Sequence, residues 1–176
     1  MDLEGVFVQI GLVPNTEFID VEKDKYGQIR KKHLAALSKL LKIPLAESFE
    51  VATFYTMYNL APVGKYFIQV CTTTPCMIRG ANKLVEACKE KISENECELS
   101  NDKSCSWMEV ECLGACVNAP MMQINDDYYE DLDKQKTLDI LDKILNGETP
   151  KPGSYRGRVN NEPENNRKTL MDLKNA

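Results

Sequence analysis

YFIQVCTTTPC (66–76) and WMEVECLGAC (107–116) decide how this chain folds. Each opens as a strand-like run that ends in a cysteine and passes into a short loop carrying a second cysteine. Cys71 and Cys76 have four residues between them, and Cys112 and Cys116 have three. Each pair is close enough to grip one metal centre from a single loop. Thiolate is the soft ligand that selects iron–sulfur clusters, zinc or Cu(I). Neither pair has the C-x-x-C spacing of thioredoxin-type redox sites or of most zinc knuckles. Two strands that deliver two such loops to one place would surround a cluster with four ligands: Cys71, Cys76, Cys112 and Cys116.

Working outward from these loops, the pattern reads as an α+β domain with a small sheet. Tyr66–Cys71 is a strand. Ala81, Leu84, Val85, Cys88 and Ile92 then fall on one face at helical period. Glu98–Leu99 reads as a short strand and Trp107–Glu111 as a longer one. Met121–Asn125 and Tyr128–Asp131 flank Asp126-Asp127 as a hairpin. Asp133 is placed to cap a last helix through Leu145, with Leu138, Leu141 and Leu145 inward and Gly147 at its stop. Upstream, Gln28–Leu41 reads as a helix with Leu34, Leu37, Leu40 and Leu41 on one stripe. Glu47–Leu60 reads as a second helix, weakened by Val51, Thr53, Phe54 and Tyr55. APVGK (61–65) breaks the pattern. The expected organisation is a helical region over 1–61, the cysteine-bearing domain over 62–148 and an extended tail over 149–176. Residues 1–26 have no clear period apart from a turn at Pro14-Asn15.

Within the loops, Thr74-Pro75 resembles an N-cap followed by proline at the first helical position. Cys76 would then sit on a first helical turn; the alternative starts the helix only at Gly80. In CLGAC, Gly114 serves either a close backbone approach or a left-handed turn. The other thiols read differently. Cys88 lies on an apolar helix face and is expected in the core. Cys97 and Cys105 flank a charged segment expected at the surface, with no partner at ligand spacing. His33, the only histidine, sits beside Lys31 and Lys32 and is expected to be solvated; a Rieske site needs two histidines. Trp107, Tyr66 and Phe67 are expected in the core or at an interface. Zinc remains the main competitor, since structural zinc also takes four cysteines.

Composition sets the outer bounds. The chain has 176 residues, 43% hydrophobic, with net charge −5. An acidic chain is a poor partner for nucleic acid or an anionic membrane. No apolar run approaches the ~20 residues of a membrane span. MDLEGVFVQIG (1–11) has neither the basic region of a secretory signal nor the arginines of a transit peptide. Seven cysteines is an odd number for a disulfide framework and points to a reducing compartment. No Walker or Rossmann glycine pattern is present, so no nucleotide site is expected on this chain.

EVATFYTMYNLAPVGKYFIQVCTTTPCMIRG (50–80), with ECLGACVNAPMMQINDDYYEDL (111–132), resembles a known family. The family it resembles is that of the small 2Fe-2S subunit of the NADH-dehydrogenase module of respiratory complex I. The resemblance spans roughly residues 44–153. It implies a thioredoxin-like ferredoxin domain behind a helical region, and one 2Fe-2S cluster on Cys71, Cys76, Cys112 and Cys116. It implies a larger flavoprotein partner that binds NADH and FMN, with this chain as an electron carrier beside the flavin inside NADH:ubiquinone oxidoreductase. All-cysteine ligation implies a low potential, of the order of the −400 mV of plant-type ferredoxins. The implied location is peripheral, on the matrix side of the mitochondrial inner membrane or the cytoplasmic face of a bacterial one. PKPGSYRGR (150–158) resembles the family's C-terminal extension and is expected to lie along the partner. Ala119-Pro120 stands where such folds often carry a cis proline. The equivalent subunit of an NAD-linked hydrogenase or formate dehydrogenase, a zinc-stabilised adaptor and a free-standing ferredoxin are the alternatives.

Overall fold

The computed structural model describes residues 27–163. The expected Pro14-Asn15 turn and the last part of the tail lie outside that range. Two helices come first, α1 (Lys31–Leu41) and α2 (Leu45–Phe54). Then follow β1 (Tyr66–Cys71), the short α3 (Thr74–Ile78), α4 (Ala81–Lys91), β2 (Cys105–Val110), a 3-10 turn at Cys116–Asn118, β3 (Met122–Ile124), β4 (Asp127–Glu130), α5 (Lys134–Leu145) and β5 (Gly153–Ser154). The sheet runs in the order β2-β1-β3-β4-β5. β2 is parallel to β1, β3 and β4 form an antiparallel hairpin against β1, and β5 is parallel to β4.

The register explains the core. Ile68 lies opposite both Trp107 and Ile124, and Val70 opposite Met122, so one sheet face is continuously apolar. The buried faces of α4 (Leu84, Val85, Cys88) and α5 (Ile140, Leu141, Ile144) close over it. Trp107 is buried there as expected, and its indole N–H donates to the Ser93 carbonyl at 2.8 Å. Lys91 and Asp142 tie the two helices at 2.7 Å. The junction of β1 with β2 needs Gly64. Its φ is +69°, and a Cβ there would come within 2.6 Å of the Ser104 carbonyl oxygen, which accepts from the Lys65 and Tyr66 N–H groups.

Several elements depart from expectation. α1 starts at Lys31 rather than Gln28, because the Arg30 N–H donates to His33 Nδ1 at 3.1 Å and fixes the cap there. His33 is therefore not solvated; it is 8% exposed. Of the leucine stripe on α1, Leu34 is buried but Leu40 and Leu41 are exposed. α2 ends at Phe54 instead of Leu60, where Tyr55 takes an extended conformation. Glu98–Leu99 makes only an isolated bridge, Leu99 to Ser106. β2 starts two residues early, and that carries Cys105 into the core rather than to the surface. The β3–β4 turn falls on Asn125-Asp126, where Asn125 takes φ 52° and its side chain accepts from the Phe67 N–H at 2.9 Å. On α5 the buried residues are Thr137, Ile140, Leu141 and Ile144, with Leu138 and Leu145 at the margin. The start of the expected tail folds back as β5 onto the sheet. The Ala119–Pro120 bond is cis. Among the described residues no helix is long and apolar enough to cross a membrane.

Candidate metal centre

Parallel pairing brings the two cysteine loops together. Because β1 and β2 run the same way, both leave the sheet at the same edge. Cys71, the last residue of β1, lies opposite Val110, the last of β2. The Thr72 N–H donates to the Val110 carbonyl at 3.3 Å, so the chains depart side by side. Cys112 follows two positions after Val110. The first loop then turns back into α3, which is capped by Thr73 rather than Thr74 and carries Cys76. α4 starts separately after Gly80, whose φ is 101°. The second loop turns at Gly114, with φ +83° and open space where a Cβ would stand. The glycine is there for its left-handed backbone, not for a close approach. That conformation aims the Gly114 N–H at Cys112 Sγ, 3.4 Å away, and the 3-10 turn then presents Cys116.

The four thiols lie as two pairs. Cys112 Sγ and Cys116 Sγ are 3.3 Å apart, and Cys71 and Cys76 each perturb the other's ionisation. Thr73 stands near both loops: its Oγ1 is 3.4 Å from Cys71 Sγ, and its hydroxyl is one of the groups that lower the Cys112 thiol. Charge on Cys71 is felt at Cys112 and Cys116, and charge on Cys116 at Cys76. Among the described residues no three His, Cys, Asp or Glu side chains converge on a single ion position.

The thiols differ in readiness to ionise. Burial opposes ionisation of Cys71, but hydrogen bonds from the Thr73 side chain, the Leu113 N–H, Cys76 and the Thr73 N–H outweigh it and hold the thiol below the ordinary cysteine value. Burial first, and then Cys71, push Cys76 up to about 12. The Gly114 N–H, then Cys116, hold Cys112 low, and Cys112 in turn pushes Cys116 up. Each pair thus holds one thiol below the ordinary cysteine value and one above it. Cys71 and Cys76 are buried with Ala81, Ala119 and Met121, whereas Cys112 and Cys116 are exposed.

The remaining cysteines stand apart. Cys88 is buried in the core and pushed up to about 12 by burial. Burial also raises Cys97 and Cys105. None of the three contributes to the thiol cluster.

Residues 16–145 match the family Thioredoxin-like [2Fe-2S] ferredoxin. This chain belongs to that family. It is 54% identical over 110 residues to a subunit of NADH-quinone oxidoreductase from Rickettsia bellii, covering 62% of this chain and 66% of the relative. It is 39% identical over 164 residues to the mitochondrial NADH dehydrogenase [ubiquinone] flavoprotein 2 of Dictyostelium discoideum, covering 93% of this chain and 66% of the relative. The chain thus spans 66% of the length of each. An NAD+-reducing [NiFe]-hydrogenase structure in the H2-reduced state shares the fold, with TM-score 0.58 and 22% identity over 68% of this chain and 20% of that one.

The donor set fits the cluster that gives the ferredoxin family its name. Metal–sulfur bonds of about 2.3 Å in a tetrahedral site put two thiolates on one metal about 3.8 Å apart. The close spacing of Cys112 and Cys116 suits two ligands on one metal, and the Thr72–Val110 backbone bond keeps the two loops side by side. Three residues of the site were not singled out from sequence. Tyr128 donates to the Leu113 carbonyl at 2.7 Å and pins one end of the second loop. Asn118 and Arg158 pin the other end. Arg158 reaches back 41 residues in sequence to do so, and no local spacing signals that.

Proposed function

We propose that this chain is an electron-carrier subunit of an NADH:quinone oxidoreductase, holding one 2Fe-2S cluster on Cys71, Cys76, Cys112 and Cys116. Convergence of two cysteine pairs at one edge of a parallel strand pair carries the reading. The cluster supplies one-electron redox chemistry. The protein's part is to deprotonate four thiols and hold them. Cys71 and Cys112 are the more acidic members, and Cys76 and Cys116 would have to give up their protons for all four to bind as thiolates. The Thr73 hydroxyl and the Leu113 and Gly114 N–H groups supply donors to sulfur, which favours added negative charge. The apolar shell of Ala81, Ala119 and Met121 lowers the local dielectric on one side.

The chain has no nucleotide-binding motif, so NADH and FMN belong on a larger flavoprotein partner. Electrons pass at the exposed side, where Cys112 and Cys116 lie and where Met77, Ile78 and Val117 are exposed beside ligand positions. The location that follows is peripheral, held to the matrix face of the mitochondrial inner membrane, or to the equivalent bacterial face, through other subunits.

Iron and acid-labile sulfide analysis with electron paramagnetic resonance of the dithionite-reduced chain tests the reading. Two irons per chain and a 2Fe-2S signal are expected. Alanine at any of the four positions abolishes or destabilises that signal. Serine at Cys88, Cys97 or Cys105 leaves it unchanged. Loss of the signal in Cys97→Ser or Cys105→Ser, or a colourless zinc-containing protein, would overturn it.

A further inference from the structure

We propose that Arg158 is a positioning residue for the second cysteine loop, the fold-back of residues 153–160 clamping the turn that carries Cys116. This inference rests on the reading of Cys116 as a cluster ligand. Nη1 and Nη2 of Arg158 each lie 3.4 Å from the carbonyl oxygen of Val117, the residue that follows Cys116. Nη1 also lies 3.3 Å from Asp131 Oδ1, in an ion pair whose side chains are 10% and 1% exposed. Ser154 on β5 completes the hold. Its hydroxyl donates to Asp131 Oδ2 at 2.6 Å and accepts from the Arg158 N–H at 3.3 Å.

The other side of the turn is held as well. Asn118 is 3% exposed. Its Nδ2 donates to Glu130 Oε2 at 2.7 Å and to the Asn160 carbonyl at 2.8 Å. Its own carbonyl accepts from the Asp131 N–H at 2.8 Å. The fold-back therefore meets the 3-10 turn through Arg158 and Asn160, while the end of β4 meets it through Glu130 and Asp131.

The clamp has a physical purpose. The second loop exposes both its cysteines and turns through a left-handed glycine, so it has little burial of its own to fix it. Segments of that kind open most readily. A planar guanidinium that forks between a carbonyl and a carboxylate fixes geometry in a way an ammonium does not. It also sets a positive charge one residue from a thiolate ligand, opposed by Asp131. Such outer partners orient ligands and tune the metal they hold.

The test compares the full-length, cluster-loaded chain with its R158Q, R158K and D131N/R158Q variants. Cluster loss to an iron chelator is expected to be about tenfold faster in R158Q, the lower end of what losing an outer-shell partner costs. Its midpoint potential falls in a dithionite titration, because Asp131 is left uncompensated. D131N/R158Q leaves no buried carboxylate unpaired. Its potential returns toward wild type while cluster loss stays fast, since the fork to Val117 is still missing. R158K keeps the potential and is intermediate in cluster loss. Wild-type loss rates in both R158Q and D131N/R158Q overturn the clamp, as does slow loss in the double variant with fast loss in R158Q alone. A cluster that survives Cys116→Ala sinks the ligand assignment instead, and that result is distinguishable from either.

Discussion

Thr73 sits between the two cysteine loops, its Oγ1 3.4 Å from Cys71 Sγ and its hydroxyl among the groups that hold Cys112 low. Hydrogen bonds to cluster sulfurs favour the reduced, more negative state. Thr73→Val keeps the shape and removes the hydroxyl. A net hydrogen bond of about 1 kcal/mol corresponds to a fall in potential on the order of tens of millivolts. Optical redox titration of the loaded variant checks this; an unchanged potential would mean the hydroxyl does not reach the sulfurs once the cluster is bound. At this scale the sequence was legible wherever spacing carries the chemistry. The four ligand candidates followed from two loops read alone. Cys88 was legible too, because helical period placed it inside. Tyr128, Asn118 and Arg158 were not singled out, since their partners lie across the fold. His33 misled for a related reason. Its lysine neighbours look solvated, but its Nδ1 is spent on a helix start that no periodicity marks.

Helix ends are where local chemistry acts most plainly, and α5 shows it. Asp133 Oδ1 accepts from the Lys136 N–H at 2.9 Å. That bond, followed by the Lys136 side chain, holds the Asp133 carboxyl below the ordinary aspartate value. A depressed folded-state value means the unfolded chain binds the proton more tightly, so the cap stabilises fully above the unfolded pKa of about 3.9. The contribution is lost as pH falls through the lower folded value. Asp133→Ala is expected to cost about 1 kcal/mol at pH 7, read as a lower urea midpoint. Asp133→Asn keeps the cap oxygen without the charge and recovers only part of that cost. The deficit of the alanine variant shrinks below pH 4; a deficit that persists undiminished at pH 2 would show that charge plays no part in the cap. α5 was readable because its cap and its period agree. The period of α4 was equally clean. α1 and α2 were harder. Their apolar residues do not all point into this chain, so a stripe that reads as core ends in exposed Leu40 and Leu41. β5 was illegible, because two residues between prolines and glycines pair only once β4 is there to receive them.

Across the whole molecule, the apolar surface is uneven. Leu40, Leu41, Leu45, Val51, Phe54, Tyr55, Met57 and Leu60 are all exposed, and all come from the helical region before β1. Phe54 is 77% exposed and meets Tyr55 edge-on at 5.0 Å, while Tyr55 meets Tyr58 at 6.4 Å. An acidic chain with net charge −5 could cover such positions with carboxylates, yet these residues keep rings and branched chains in water. Exposed apolar surface on this scale is what a protein–protein interface presents. The leucine stripe read on α1 then has part of its length available to a neighbour. The neighbour proposed above is the flavoprotein subunit. Aromatic anchors at interfaces commonly contribute 2 kcal/mol or more, about a thirtyfold change in affinity. Phe54→Asp places a charge at that anchor while leaving the thiol cluster and the sheet untouched. Co-purification with the partner is expected to fall by about that factor, with the 2Fe-2S spectrum of the isolated chain unchanged. Lys143→Asp, on the exposed face of α5, is the matched control and retains the partner. Full recovery of the partner with Phe54→Asp would mean that this region packs elsewhere, and that docking runs instead through Met77, Ile78 and Val117 beside the cysteines.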